Sequence, residues 1–449
     1  MNKKKIYIFF SILLFITNCS FDNKTGLWKD EKNERERISN LELEQKEILD
    51  IKSIYSSDKP FVLEKNILKK INLSNPVNIL DWKMHGQNHQ NFLSNIYLTG
   101  IENKFLKKKI GRKKFNKSKI TNSPLFYKSS IYLSDDKGTI YNINLDGKVN
   151  WKKNIYKKLY KKIYKNISFS IYKNQLYVAD NIGFIYSINL SNGEIIWIKN
   201  HGIPLKSKIK VFNDKIFLLN QDNRIISLDI NGGSIVWSVR LISSFIKSQD
   251  SLSLALSKKD DVIVSTSSGD LLNLNSSSGQ IKWSLNILDS SLAHATDFFK
   301  SSDIVISDEN IIFSTQSNIF SLDLNSGYTN WKKKVNSIGA PIVDGENIFI
   351  VTDNGFFVII DKKNGDIISS TNILNILKKK NKNTKTTGFV MGSGKIYSTT
   401  LNGYLITSSA SSGKVEKFKK IGGKITTGPI ITDGKLFVYT HDFKILGFN

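Results

Sequence analysis

His85 and His89 stand four residues apart in "MHGQNH", a spacing that would aim two imidazoles at one metal ion if the segment were helical. Gly86 between them argues for a loop, and the remaining histidines, His201, His294 and His441, are scattered. No metal site is expected. The sequence also lacks a Gly-x-Ser-x-Gly elbow, a Walker loop and a paired-cysteine zinc pattern. Asp136, Asp146, Asp229, Asp323 and Asp361 fall among turn residues, where a short carboxylate caps backbone N–H groups. No catalytic residue emerges from the titratable side chains, and the function to explain is one of binding.

The elements that would position a binding surface are short strands. Five stretches repeat one phrase, among them "LYVADNIGFIYSINLSNGEIIWIKNHG" (176–202) and "IIFSTQSNIFSLDLNSGYTNWKKKV" (311–335). Each reads as apolar strand, turn, apolar strand, a turn ending in Gly, and Trp four residues later. Gly147, Gly193, Gly233, Gly279 and Gly327 precede Trp151, Trp197, Trp237, Trp283 and Trp331 in this way. Two further units keep Gly365 and Gly413 but carry Ser369 and Lys417 in the Trp slot. Gly147 to Gly413 is 266 residues over six intervals, a period of about 44 that suits a propeller blade rather than a helical solenoid. Glycine supplies the positive φ of the tight turn, and the five tryptophans are read as structural plugs over the seams between blades.

The last unit (426–449) stops before its outermost strand. An unpaired edge there would be an aggregation hazard, so the missing strand should come from elsewhere. "LKKKIG" (106–111) aligns with "WKKKVN" (331–336), placing Leu106 in the Trp slot. Residues 103–110 are therefore expected to pair with the C-terminal strands. The expected fold is all-β: an eight-bladed β-propeller of four-stranded antiparallel blades closed by an N-to-C strand clasp, spanning 79–449.

Ahead of it, Lys3 to Lys5 precede an apolar run, Ile6 to Ile16, too short to span a bilayer, and the run ends near the only cysteine, Cys19. "ITNC" resembles a bacterial lipobox, which implies a signal peptide over 1–18, lipidation at Cys19 and a lipidated tether with a short helix over 19–78. Ser20 after the cysteine implies sorting to the outer membrane. The net charge of +26 includes two basic runs, 104–119 and 152–165. Behind a lipoprotein signal these suit anionic headgroups or an acidic partner, and no nucleic-acid partner is expected.

"DLNSGYTNW", "LSNGEIIW" and "SSSGQIKW" resemble the repeat of proteins related to quinoprotein dehydrogenases, over about residues 120–449. "LDWKMHGQNHQNF" (80–92) and "GSGKIYSTTLNGYLITSSASSGKV" (392–415) are similar to segments of alphaproteobacterial BamB-like proteins. That resemblance implies a non-catalytic scaffold lipoprotein without cofactor, anchored at the periplasmic face of the outer membrane. It would dock on the POTRA domains of a BamA-type barrel-assembly protein, alongside other subunits of the machine, and assist unfolded outer-membrane proteins. "SLSLALS" (251–257) lies where the family places a Leu-Ser-Leu-Arg dock, so Leu252, Ser253 and Leu254 match while Ala255 replaces the Arg. The same leucines would serve equally as a blade's inner strand. Of the nearby acids Asp297 and Asp303, Asp303 is preferred for an acidic contact. Two alternatives stay open: a periplasmic propeller holding a small ligand or cell-wall component in its channel, and a quinone-dependent oxidoreductase, which would need a quinone chamber, Ca²⁺ held by carboxylate and amide oxygens, and a carboxylate base.

Overall fold

The computed structural model describes residues 21–22, 27–28, 31–50, 61–65, 71–115, 122–241, 252–287, 300–337, 339–381 and 384–449. Cys19, the signal peptide and Asp297 lie outside the described residues. Eight four-stranded antiparallel sheets follow one another along the chain. Blade 1 runs from an inner strand, Leu125–Tyr127, to an outer strand, Val149–Asn154. The inner strands of blades 2 to 7 are Ile167–Tyr172, Lys210–Phe212, Leu254–Leu256, Val305–Ser307, Ile342–Asp344 and Thr386–Gly392. Their outer strands are Ile195–Asn200, Ile235–Arg240, Ile281–Asn286, Thr329–Lys333, Ile367–Asn372 and Val415–Lys420. The core lies between blades, where the middle strands of each sheet are buried on both faces.

Blade 8 is the expected composite. Ile430–Thr432, Lys435–Tyr439 and Lys444–Phe448 come from the C-terminus, and Lys104–Lys109 adds the outer strand by antiparallel pairing with Lys444–Phe448. The borrowed strand reproduces a detail of the others. In blades 1 to 7 the pairing onto the outer strand slips by one residue just before the Trp slot, leaving one residue unpaired; Ile196 is an example, between Ile195 and Trp197. In blade 8 the slip falls at Phe105, just before Leu106. Such a bulge increases the local twist and aims the next side chain over the seam.

That side chain meets the next blade. The indole N–H groups of Trp151, Trp197, Trp237, Trp283 and Trp331 donate to the carbonyls of Leu190, Ile230, Ser276, Leu324 and Lys362, at 2.8 to 3.0 Å. Each of these acceptors sits in the Gly turn one blade further on. A Cβ at Gly279, whose φ is +75°, would lie 2.7 Å from Trp237 Cε3. Glycine is therefore required twice, for its backbone and for the indole beneath it. Under Gly147 the place is taken by Leu106 and Lys108, confirming the alignment of Leu106 with the tryptophans.

The helix α1 (Glu31–Asp50) departs from a free tether. Ile38 and Leu41 are buried against the propeller, Arg37 Nη1 donates to the Ile182 carbonyl at 2.6 Å, and the Tyr160 hydroxyl donates to Glu34 at 2.7 Å. Two apolar contacts and one charged network suffice to seat a helix whose apolar residues are too few for a core of its own.

Candidate docking face and channel

Residues 79–99 have no regular secondary structure, yet they touch the inner strand or its following turn in all eight blades, in blade order. Asp433 N–H of blade 8 donates to Ile79 O, and Trp82 and Phe126 of blade 1 exchange both backbone hydrogen bonds. Ile171 N–H of blade 2 donates to Lys83 O at 2.7 Å. Lys210 Nζ of blade 3 donates to the carbonyls of His85 at 2.6 Å and Asn88 at 2.8 Å. Leu256, Ile306 and Val343 N–H groups of blades 4, 5 and 6 donate to His89, Gln90 and Leu93 carbonyls. Ile96 then bonds with Met391 and Ser393 of blade 7, and Thr99 N–H donates to Gly434 O of blade 8. The circuit also closes on itself, because Val77 N–H donates to Asn95 O and Tyr97 N–H to Val77 O, both at 2.9 Å. An innermost strand has a free edge facing the channel, and this girdle satisfies part of each edge in turn.

One side chain of the girdle reaches further in. Asn91 is almost fully buried; its amide donates to Leu254 O at 3.2 Å and Ile304 O at 2.8 Å, and its oxygen accepts from Lys210. Gly86, with φ +68°, leaves room for it, since a Cβ there would lie 2.3 Å from Asn91 Oδ1. His89 packs on the Phe212 ring with centroids 4.3 Å apart, and its Nε2 has no partner among the described residues. Burial, with Lys210 and Lys258 adding repulsion, brings its pKa down to about 4.

Asp303 lies at the channel, paired with His85 Nε2 at 2.6 Å. Burial alone would raise its pKa, but His85, Lys210 and Lys208 together hold the carboxyl well below the usual range. Burial lowers Lys210 to about 7 and Lys208 to about 8, with Asp303 opposing the shift in both. The donor set does not fit a quinone and calcium centre. The Asp303 carboxylate already serves an imidazole and has two lysine ammonium groups near it, which would repel a divalent cation. Among the described residues no cluster of three metal-ligating side chains occurs. Three of the turn aspartates behave as expected: Asp323 Oδ1 accepts from Ser326 N–H at 2.8 Å, Asp229 Oδ2 from Asn231 N–H at 2.8 Å and Asp361 Oδ1 from Lys363 N–H at 2.9 Å. Asp136 instead accepts from the remote Lys114 and Phe115 N–H groups, and in the turn of Asp146 the cap is Asn144, whose Oδ1 accepts from Asp146 N–H.

Leu252, Ser253 and Leu254 are 5, 3 and 3% exposed. The leucines pack with Leu256, Val262 and Trp237 in the core around blade 4, and Ser253 Oγ accepts from Ile304 N–H of blade 5 at 2.7 Å. Their side chains thus hold the inner strand in place rather than forming open surface. The structure brings Leu254 and Asp303 to one wall of the channel through Asn91 and His85, residues that sequence spacing did not connect with either. The open surface on the girdle side includes exposed Val77, Leu80 and Tyr97. Beside them a cavity of 290 Å³ opens at the seam of blades 8 and 1, lined by Leu80, Phe126, Leu145, Phe437, Lys128 and Asp433, among others.

Comparison with known proteins places this architecture. The family model described as outer membrane protein assembly factor BamB matches residues 107–204 and 136–371, together more than half of the chain. The chain belongs to the BamB family. BamB of Shewanella oneidensis is 20% identical over 268 residues, 57% of this chain and 63% of that protein. BamB of Yersinia pestis is 22% identical over 245 residues, 53% of this chain and 60% of that protein. The match thus spans less than two thirds of the length of these relatives. In fold, the crystal structure of BamB from Moraxella catarrhalis superposes with a TM-score of 0.61 at 11% identity, covering 77% of this chain and 100% of that one. A europium-containing methanol dehydrogenase superposes with a TM-score of 0.62 at 12% identity, covering 80% of this chain and 89% of that one. The quinohemoprotein alcohol dehydrogenase of Comamonas testosteroni gives 0.62 at 12% identity, with coverage of 81 and 77%. The two kinds of neighbour share the propeller, and only the site chemistry can separate them.

Proposed function

We propose that this protein is a non-catalytic scaffold of the outer-membrane barrel-assembly machinery, lipid-anchored through Cys19 at the periplasmic face and docking on the POTRA domains of a BamA-type protein to assist the folding of outer-membrane proteins. The observation that carries this reading is the girdle. A segment bonded to all eight inner strands converts one face of the ring into a fixed platform, which suits presentation of a surface better than entry of a substrate. Family membership supports the same reading over the quinone-dependent alternative, as does the lysine-flanked Asp303.

Within this proposal the dock includes the rim of blades 4 and 5. Leu252, Ser253 and Leu254 shape it from beneath, and Asp303 contributes by fixing His85 of the girdle at that rim. The test is a pull-down of the tagged mature protein from detergent-solubilised envelopes, with mass-spectrometric identification of the co-purifying chains. A barrel-assembly protein should be recovered, and recovery should fall for Asp303→Asn while the circular dichroism stays unchanged. Recovery of cell-wall proteins alone would move the assignment to a channel-ligand propeller.

A further inference from the structure

The basic residues of 104–109 and 152–153 and those of Val415–Lys420, far away in sequence, become neighbours in the ring. The outer strands of blades 7, 8 and 1 are "VEKFKK", "KFLKKK" and "VNWKKN", which hold nine lysines, no arginine and one glutamate. The outer strands of blades 2 to 6 hold one, one, one, two and no basic residues, five in all across five strands. The charge is thus concentrated on one side of the propeller, across the seam where the ring closes. Some of it is neutralised: Lys417 pairs with Glu102, and Lys419 donates to the Glu102 carbonyl at 3.1 Å. Lys107, Lys109 and Lys152 are exposed and have no acidic partner among the described residues. Between the lysines stand two large aromatics, Phe105 at 39% and Phe418 at 43% exposure.

We propose that this side of the propeller binds an anionic bilayer surface, with the lysines at the headgroup phosphates and Phe105 and Phe418 at the interface. The composition selects lipid over an acidic protein. Protein interfaces are enriched in arginine and depleted in lysine, whereas compact ammonium groups on flexible stems suit a fluid array of headgroups. Exposed aromatics among them match the side chains that settle at a membrane boundary. The lysines are also spread over the outer strands of three blades. The inference rests on the charge distribution and is independent of the docking proposal. It adds a second attachment that would lay the ring side-on against the membrane.

The experiment is vesicle co-sedimentation of the full mature chain carrying Cys19→Ala, so that no acyl group contributes. The vesicles are equal parts phosphatidylglycerol and phosphatidylcholine, or phosphatidylcholine alone. Binding should appear on the anionic vesicles only and weaken with salt. The variant Lys107→Glu/Lys109→Glu/Lys152→Glu should lose about tenfold or more in affinity. Lys199→Glu/Arg240→Glu/Lys332→Glu, with the same change in net charge on blades 2, 3 and 5, should stay within about twofold of the parent. Circular dichroism checks that both variants fold. Equal losses in the two variants would reduce the effect to net charge and overturn the proposal. Absence of vesicle binding with retention on immobilised polyglutamate would overturn it in favour of an acidic protein.

Discussion

Gly279→Ala tests the logic of the ring at one seam. Two costs are separable in the structure. The φ of +75° disfavours any Cβ by about 1 kcal/mol, partly offset by the lower entropy of an unfolded alanine. The new methyl would also lie 2.7 Å from Trp237 Cε3 and 3.1 Å from Val239 Cγ2, so the indole must move away from the Ser276 carbonyl, to which it donates at 2.9 Å. Overpacking of this kind costs about 1 to 3 kcal/mol and the lost hydrogen bond about 1 kcal/mol. Gly202→Ala is the matched control: its φ is +69°, but nothing lies within 4 Å of the added carbon. In urea denaturation followed by circular dichroism, Gly279→Ala should therefore destabilise by about 2 to 4 kcal/mol more than Gly202→Ala. Adding Trp237→Leu to Gly279→Ala should recover part of the loss, because Leu106 already fills the equivalent slot beneath Gly147, and a coupling of about 1 to 3 kcal/mol is expected. Equal costs for the two glycines, with no coupling to Trp237, would refute the account of the repeat as a contact between successive blades.

Three further outcomes follow from the same structure. Deleting residues 434–449 removes two strands of blade 8 and leaves Lys104–Lys109 without its partner, so the melting temperature should fall sharply; an unchanged value would exclude the clasp as the closure. Leu252→Asp with Leu254→Asp puts two unpaired carboxylates among buried apolar side chains, and native circular dichroism should be lost along with any docking; retention of the fold would show that the strand can turn these positions outward. His89 has a folded pKa of about 4 against an ordinary 6.5, so the native state takes up its proton less readily than the unfolded chain. Its stability is complete above 6.5 and declines as pH falls toward 4, by up to about 3 kcal/mol, and the acid loss measured by thermal melts should be smaller in His89→Phe.

The blade was legible because its determinants are local and repeated. Gly and Trp recur four residues apart, and a strand that borrows the Trp slot for Leu106 could be found by alignment with its siblings. What spacing could not show is that the indole of one blade sits beneath the glycine of the next, since that contact crosses a seam. The girdle was only partly legible. "LDWKMHGQNHQNF" drew attention as a segment, but most of its bonds to the blades use its carbonyls, which any residue supplies, so it carries no hydrophobic period. The same holds for the pairing of His85 with Asp303, 218 residues apart, and for the inward turn of Leu252 and Leu254, whose apolar character fits an inner strand and a dock alike. Helix α1 was expected as part of a tether, and the hydrogen bonds that seat it are long-range ones from Glu34 and Arg37.

Two closures of different kind thus depend on residues that the chain makes first. Lys104–Lys109 seals the circumference of the ring with a strand, and residues 79–99 seal its axis with a girdle that reaches every blade. Neither is complete until blade 8, the last to be made, is present. The blades themselves arise from contacts between neighbours, which cost little loop entropy, whereas the strand clasp and the girdle's bonds to blade 8 join residues more than 300 apart and come late on that ground. Because residues 79–99 precede every blade in the chain, each inner edge has its girdle partner available as its strand is added, and the girdle is what removes those edges. The physical role of the girdle in completing the fold and its proposed role as a platform therefore share one cause, the need of eight inner strands for hydrogen-bond partners at the channel.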